Sequence, residues 1–173
     1  MNTTELISSG GKQLLNTQLS WEENMKCLLS AKHWEDALAY WTLNWPMETV
    51  IRWLLPQLKK QITIDNTLEM QCLEEITLWL EHRDNTCRWR IFTLAGEIGF
   101  STPEGALGLA VFWLGGSMTP ENCEPVFAKT HLPALMVHTT FCLASVALAA
   151  ESSPVIGVNI LFDRWLQTQR GAC

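Results

Sequence analysis

In every long segment of this chain the apolar residues recur at three- and four-residue intervals, and nowhere do they alternate at every second position. The first pattern is that of a helix buried along one stripe, and the second is that of a half-buried strand. The periodicity therefore sets an all-α fold class before any motif is considered. Ser20 and Glu23 stand three apart ahead of Trp21. In that arrangement the serine takes the N3 amide and the glutamate returns to the cap amide, which predicts a helix over 21–30. A second helix over about 34–43 sets Trp34, Leu38 and Trp41 at i, i+4, i+7. Pro46 suits the first turn of a third, where its missing N–H is no loss. Val50, Trp53 and Leu54 continue one face of that helix, and Pro56 is expected to kink or shorten it.

Asp65 or Asn66 opens a fourth helix running to His82, with Leu68, Cys72, Leu73, Ile76, Trp79 and Leu80 on one arc and Glu74 and Glu81 pointing away. Asp84 caps a fifth, and Gly99 ends it as a left-handed residue. Thr102, Pro103 and Glu104 start a sixth that stops at Gly115 and Gly116. Residues 117–132 hold two prolines and no sustained period, so they form a long loop. Residues 133–150 are apolar on all sides and rich in Ala, which predicts one buried central helix. A last helix follows over 154–169. The sum is seven or eight short helices, packed as a bundle or hairpin array in a single domain over 19–173. Residues 1–18 are polar and include Ser8, Ser9, Gly10 and Gly11, so they read as a flexible N-terminal arm.

Composition narrows the function classes. A length of 173 residues fits one core, since a domain of about 150 residues buries close to 70% of its unfolded surface. Only 17% of residues are charged, against about 25% in an average soluble domain, which excludes general disorder. The net charge of -6 disfavours a phosphate backbone as partner, so nucleic acid is not expected. The 133–150 segment carries His138, two Thr and Ser145, which favours a core helix over a membrane span. The first residues lack a basic stretch followed by an apolar run, and the six cysteines lack tight spacing. Together these predict no secretory leader, reduced thiols and a cytoplasmic location. Nine tryptophans demand either a bulky core or exposed anchors. Trp34, Trp53, Trp79, Trp89 and Trp113 fit core faces, while Trp41 and Trp45, beside Pro46, are candidate anchors.

Catalytic chemistry finds little support. Cys123, His131 and His138 are too loosely spaced for a structural zinc site, which takes four ligands, and no metal or other cofactor is expected. For nucleophilic catalysis the only local grouping is Ser117, Glu121, Glu124 and His131 on one loop, and a hydrolase would use Ser117 or Cys123 with His131. The phosphate-loop, dinucleotide and nucleophile-elbow motifs are all missing. The acidic positions Glu69, Glu74, Glu75 and Glu81 read first as a solvated face and second as a surface for a basic partner.

Across residues 99–117, GFSTPEGALGLAVFWLGGS, the chain resembles a family of uncharacterised all-helical proteobacterial proteins with the signature GF-x-TP-x-G followed by A-x-FW-x-GGS. The residues that carry the resemblance are Gly99, Phe100, Thr102, Pro103, Gly105, Phe112, Trp113, Gly115, Gly116 and Ser117, with His131 and Leu132 further on. A Pro-rich run usually precedes that His-Leu pair in the family; here only Pro125 and Pro133 flank Ala128, Lys129 and Thr130. Genes of the family tend to lie near those of type VI secretion spikes, tip proteins and effectors. The resemblance thus implies a non-catalytic cytoplasmic adaptor or accessory chaperone for a secreted spike-tip or effector protein. An immunity protein that inhibits a toxin is the alternative, and a hydrolase is a further one. The partner-binding residues are expected to be Gly115, Gly116, Ser117, Met118, Phe127, His131 and Leu132, with Trp41 and Trp45. Met118, Phe127 and Leu132 can be read either as anchors or as a lid folded over the core.

Overall fold

A computed structural model describes residues 6–63 and 65–171 of the chain. It contains nine helices: α1 (Ser9–Leu14), α2 (Trp21–Ser30), α3 (Trp34–Asn44), α4 (Met47–Lys59), α5 (Thr67–His82), α6 (Asn85–Ile98), α7 (Pro103–Leu114), α8 (Leu132–Ala149) and α9 (Pro154–Gly171). Among the described residues the only β pairing is an isolated bridge between Ser117 and Phe127. The helix starts follow the capping chemistry. Ser20 and Glu23 form the reciprocal box, Asp84 accepts the Cys87 N–H, and Thr102 accepts the Gly105 N–H.

Two sequence expectations give way. The expected shortening at Pro56 does not occur, because α4 runs on to Lys59 with Pro56 facing solvent while Val50, Ile51, Trp53, Leu54, Leu55 and Leu58 hold the buried face on either side. Within the expected flexible arm, residues 9–14 form α1, and residues 1–5 lie outside the described part. Ser8 caps α1, and it donates from both its N–H and its hydroxyl to the Asp36 carboxylate at 2.6 and 2.7 Å. His33 Nδ1 lies 2.8 Å from the same carboxylate. Asn24 exchanges hydrogen bonds with the backbone of Asn16, and Ile7 is only 7% exposed. Polar composition misled here because the polar groups are spent on each other rather than on water.

α5, α6 and α7 pack as one three-helix group; α7, α8 and α9 continue the packing in chain order, and α3 lies against α8 and α9. The most enclosed helix is α7, in which residues 104–112 are all buried. α8, the expected central helix, buries one broad face through Val137, Phe141, Ala144 and Ser145 while Val146 reaches solvent. Among the described residues α8 is also the one helix long and apolar enough to cross a membrane.

Between α2, α3, α4 and α9 sits an aromatic core of Trp21, Trp41, Trp45, Trp53 and Trp165, joined by Phe141 of α8 and by Phe162. Most of the ring pairs in it meet edge to face, for example Trp41 with Trp165 at 5.3 Å and 72°, which sets the positive edge of one ring against the negative face of the next. The indole N–H groups of Trp21, Trp41, Trp45 and Trp165 are buried there without a hydrogen-bond acceptor. Trp41 is 0% exposed, and Trp45 is half-buried against Trp21 and Trp165. Neither is the exposed anchor that its place beside Pro46 suggests, because α9 closes over this end of α3.

Candidate protein-docking surface

The connection from α7 to α8 is closed on itself by hydrogen bonds. The Met118 N–H donates to the Val126 carbonyl at 2.7 Å, beside the Ser117–Phe127 bridge. Ser117 Oγ accepts the N–H groups of Thr119 and Val126, both at 3.1 Å, and Thr119 Oγ1 donates to the Glu124 carbonyl at 2.7 Å. These bonds pin residues 117–119 to residues 124–126, and they order that part of the loop without a Pro-rich run. Phe127 and Val126 emerge from this closed base 67% and 47% exposed. Phe127 is therefore presented to solvent and is no lid. Met118, His131 and Leu132 are half-buried, with His131 immediately preceding α8 and making no side-chain cap.

The loop is anchored from below by Arg88 of α6, a residue that pattern reading passes over. Arg88 is 2% exposed, and its guanidinium donates to the Phe112 carbonyl at 2.9 Å, the Ser117 carbonyl at 2.8 Å and Asn85 Oδ1 at 2.8 Å. It also lies over the Phe112 ring, 4.6 Å from the centroid. No carboxylate contacts it within the described residues; the carbonyl at the C-terminal end of α7 supplies the negative pole instead. Burial pushes its pKa down, although a guanidinium remains charged. The signal was present in the sequence: Arg88, Ile91 and Ala95 sit at i, i+3, i+7, which puts Arg88 on the buried arc.

Of the two glycines that follow α7, the first is explained by this anchor and the second by its backbone conformation. A Cβ on Gly115 would come within 2.5 Å of Arg88 Cδ and 2.6 Å of the Trp79 ring, and Gly116 has a φ of 152°. Gly116, Ser117 and Phe127 line a cleft of about 300 Å³ together with Asn85, Arg88 and Glu121. Asn85 relays between the two charges there, accepting from Arg88 and donating to Glu121 at 3.1 Å. Met118, His131 and Leu132 do not line this cleft, and Trp41 and Trp45 belong to the aromatic core.

Ser117 Oγ is engaged by loop backbone and by Thr119, and no hydrogen bond links it or Cys123 to His131. His138 bonds the Glu35 carbonyl at 3.0 Å and lies 3.5 Å from the Cys142 sulfur, so it ties α8 to α3. Burial lowers its pKa and raises that of Cys142 to about 12, which keeps that thiol protonated and unreactive.

Fold and site together define a single compact all-α domain that presents a hydrogen-bonded loop, with Val126 and Phe127 exposed on it, above a buried arginine. The chain belongs to a family of unknown function, DUF6931, whose sequence profile matches residues 25–160, from within α2 to within α9. No curated protein and no solved structure matches it.

Proposed function

We propose that the chain is a non-catalytic adaptor or accessory chaperone, working in the cytoplasm, that binds a secreted spike-tip or effector protein of a bacterial type VI secretion system. The observation that carries the docking role is the exposed Val126–Phe127 pair on a loop already ordered by its own hydrogen bonds. An aromatic side chain held in place before binding loses little conformational freedom on contact, which is what makes aromatics effective anchors. The secretion context is supported by the resemblance over residues 99–117.

The test is co-purification of the chain with the spike-tip or effector protein encoded beside it, for the parent and for Phe127→Ala. Retained thermal stability with a loss of about 2 kcal/mol or more of binding is the expected result. Unchanged binding by the variant removes the loop from the reading. If no such protein co-purifies with the parent chain, the adaptor role is refuted.

The net charge of -6 favours a second reading, an immunity protein seated on a basic toxin. Deletion separates the two. Loss of an adaptor stops secretion, whereas loss of an immunity protein makes the cell sensitive to its neighbours' toxin.

A further inference from the structure

α5 and α6 form a hairpin, and α7 lies along one side of it. The opposite side of the hairpin is an open groove of about 540 Å³, lined by Glu74, Glu75 and Leu78 of α5 and by Trp89, Arg90 and Leu94 of α6, among others. Leu78 is 45% exposed, and Trp89 and Leu94 are half-buried. From Gln71 to Leu78 the groove spans two turns of α5, about 10 Å.

We propose that this groove is a docking site for an amphipathic helix of a partner protein, one whose apolar stripe is flanked by Lys and Arg. Shape supplies the first argument. The seam between two packed helices accepts the side-chain ridge of a third, and here a third helix would complete a four-helix arrangement with α7 on the far side. The floor supplies the second: Leu78, Trp89 and Leu94 offer the apolar surface that i, i+3, i+4, i+7 anchors need.

Charge identifies the occupant. The cation on the rim, Arg90, is already neutralised by Glu75 at 3.0 Å, while Glu74 adds a carboxylate. Helical spacing continues the acidic rim through Glu81, three residues beyond Leu78, and Glu97, four beyond Thr93, both exposed. A second copy of this chain would bring the same net charge of -6 to the same acidic rim, which disfavours self-association there. The groove and the loop cleft share no lining residue: Trp89 and Arg90 line the groove, while Asn85, Arg88 and Phe127 line the cleft. The Trp89 ring stands between them, 4.9 Å from the Phe112 ring and 5.6 Å from the Arg88 guanidinium, and the groove is a second surface of which Phe127 is no part.

The experiment is a display selection of helix-forming peptides about five turns long on the full chain. Selected peptides are then mapped by NMR amide shifts and titrated against the parent, Leu78→Glu, Glu74→Lys and Phe127→Ala. Selected peptides should carry an i, i+3, i+4, i+7 apolar stripe and an excess of Lys and Arg, and should shift amides around Leu78, Trp89 and Leu94. Leu78→Glu should weaken binding by about tenfold or more, Glu74→Lys should weaken it and flatten its salt dependence, and Phe127→Ala should leave it unchanged. Both groove substitutions are at exposed positions, and thermal melts verify that the variants fold. Acidic or non-helical selected peptides, amide shifts away from the groove, an unweakened Leu78→Glu titration, or self-association of the chain through Leu78 would each overturn the proposal.

Discussion

Replacing Gly105 by alanine tests how α7 is seated, and the structure sets both the sign and the size of the effect. A Cβ at this position would lie 2.1 Å from the Gly99 carbonyl oxygen and 2.8 Å from its carbon, far inside the C···O contact distance of about 3.3 Å or more. The obstacle is backbone and cannot rotate away. Gly99 itself has a φ of 95°, and its carbonyl accepts both the Thr102 hydroxyl at 2.8 Å and the Thr102 N–H at 3.1 Å. Moving that carbonyl would loosen the turn that caps α7. Overpacking costs about 1–3 kcal/mol, and each of the two hydrogen bonds adds about 1 kcal/mol, so Gly105→Ala should destabilise the domain by about 3 kcal/mol or more. In a domain of this size that corresponds to a fall of about 6–12 °C in Tm. Gly96→Ala is the internal control: it lies exposed in the last turn of α6, with nothing nearer to its Cβ than the Phe100 ring at 3.9 Å. It should stabilise by about 0.5–1 kcal/mol by restricting the unfolded chain. Urea unfolding followed by circular dichroism reads both. If Gly105→Ala unfolds within about 0.5 kcal/mol of the parent, or if Gly96→Ala is the more damaging change, the account of this turn is refuted.

Three further outcomes follow from individual sites. Arg88→Met should lower stability by about 2–4 kcal/mol, because the Phe112 and Ser117 carbonyls and the Asn85 side chain lose their donors; Arg88→Lys should not restore it, since one ammonium cannot span the three acceptors, and a fully stable lysine variant would exclude the anchor role. For Asp36, burial pushes the carboxyl pKa up, but the Ser8 N–H and hydroxyl and the His33 ring outweigh it and leave the pKa below its ordinary 3.8. Its contribution is therefore complete above that value and is lost as pH falls through the lower folded pKa; urea midpoints at about pH 7 and pH 3 should converge in Asp36→Asn relative to the parent, and an unaltered pH dependence would count against the Ser8–Asp36 clasp. In a Cys173→Ser chain treated with a thiol reagent at about pH 8, exposed Cys27 and Cys123 should react at once. Cys72 and Cys142, with pKa values raised mainly by burial to about 12, and Cys87, raised to about 11 by burial and Glu75, should wait for unfolding; fast reaction of all five would contradict the packing.

Helix positions were legible because capping and periodicity are local chemistry. Ser20–Glu23, Asp84 and Thr102 mark starts without help from tertiary contacts, and Gly99 does take a positive φ. The failures have one physical origin, which is that tertiary contacts reassign a residue's surroundings. Ser8 looks like loop, yet a carboxylate 28 positions away organises it. Trp41 looks free to anchor a partner until α9 brings Trp165 against it. Pro56 is tolerated because its helix is held by the opposite face. For the candidate surface, the lack of a sustained period located the loop but left lid and anchor equally open for Phe127; its exposure above the bonds of Ser117, Thr119 and Val126 excludes the lid. Arg88 was overlooked because an arginine on a buried arc is improbable from composition alone.

The segment that carries the family resemblance is largely occupied with structure. Gly99 and Gly105 permit the contact between the α6–α7 turn and α7, Thr102 caps, and Gly115 makes room for Trp79 and Arg88. Phe112 is 2% exposed and stacks on Phe92 at 4.3 Å. Packing and capping account for these residues without a partner, so recurrence of the motif in other chains would report a shared way of seating α7 before it reported a shared ligand. Under the proposed docking role, specificity would reside in side chains that the fold leaves free, and two such groups flank α6: Val126 and Phe127 over the Arg88 cleft, and Leu78 with Glu74 along the α5 seam. One helix thus supports both surfaces, with Arg88 lining the cleft, Trp89 lining the groove, and both side chains packed on Phe112. A change that unseats α6 should weaken both surfaces together, whereas Phe127→Ala and Leu78→Glu should each weaken only one.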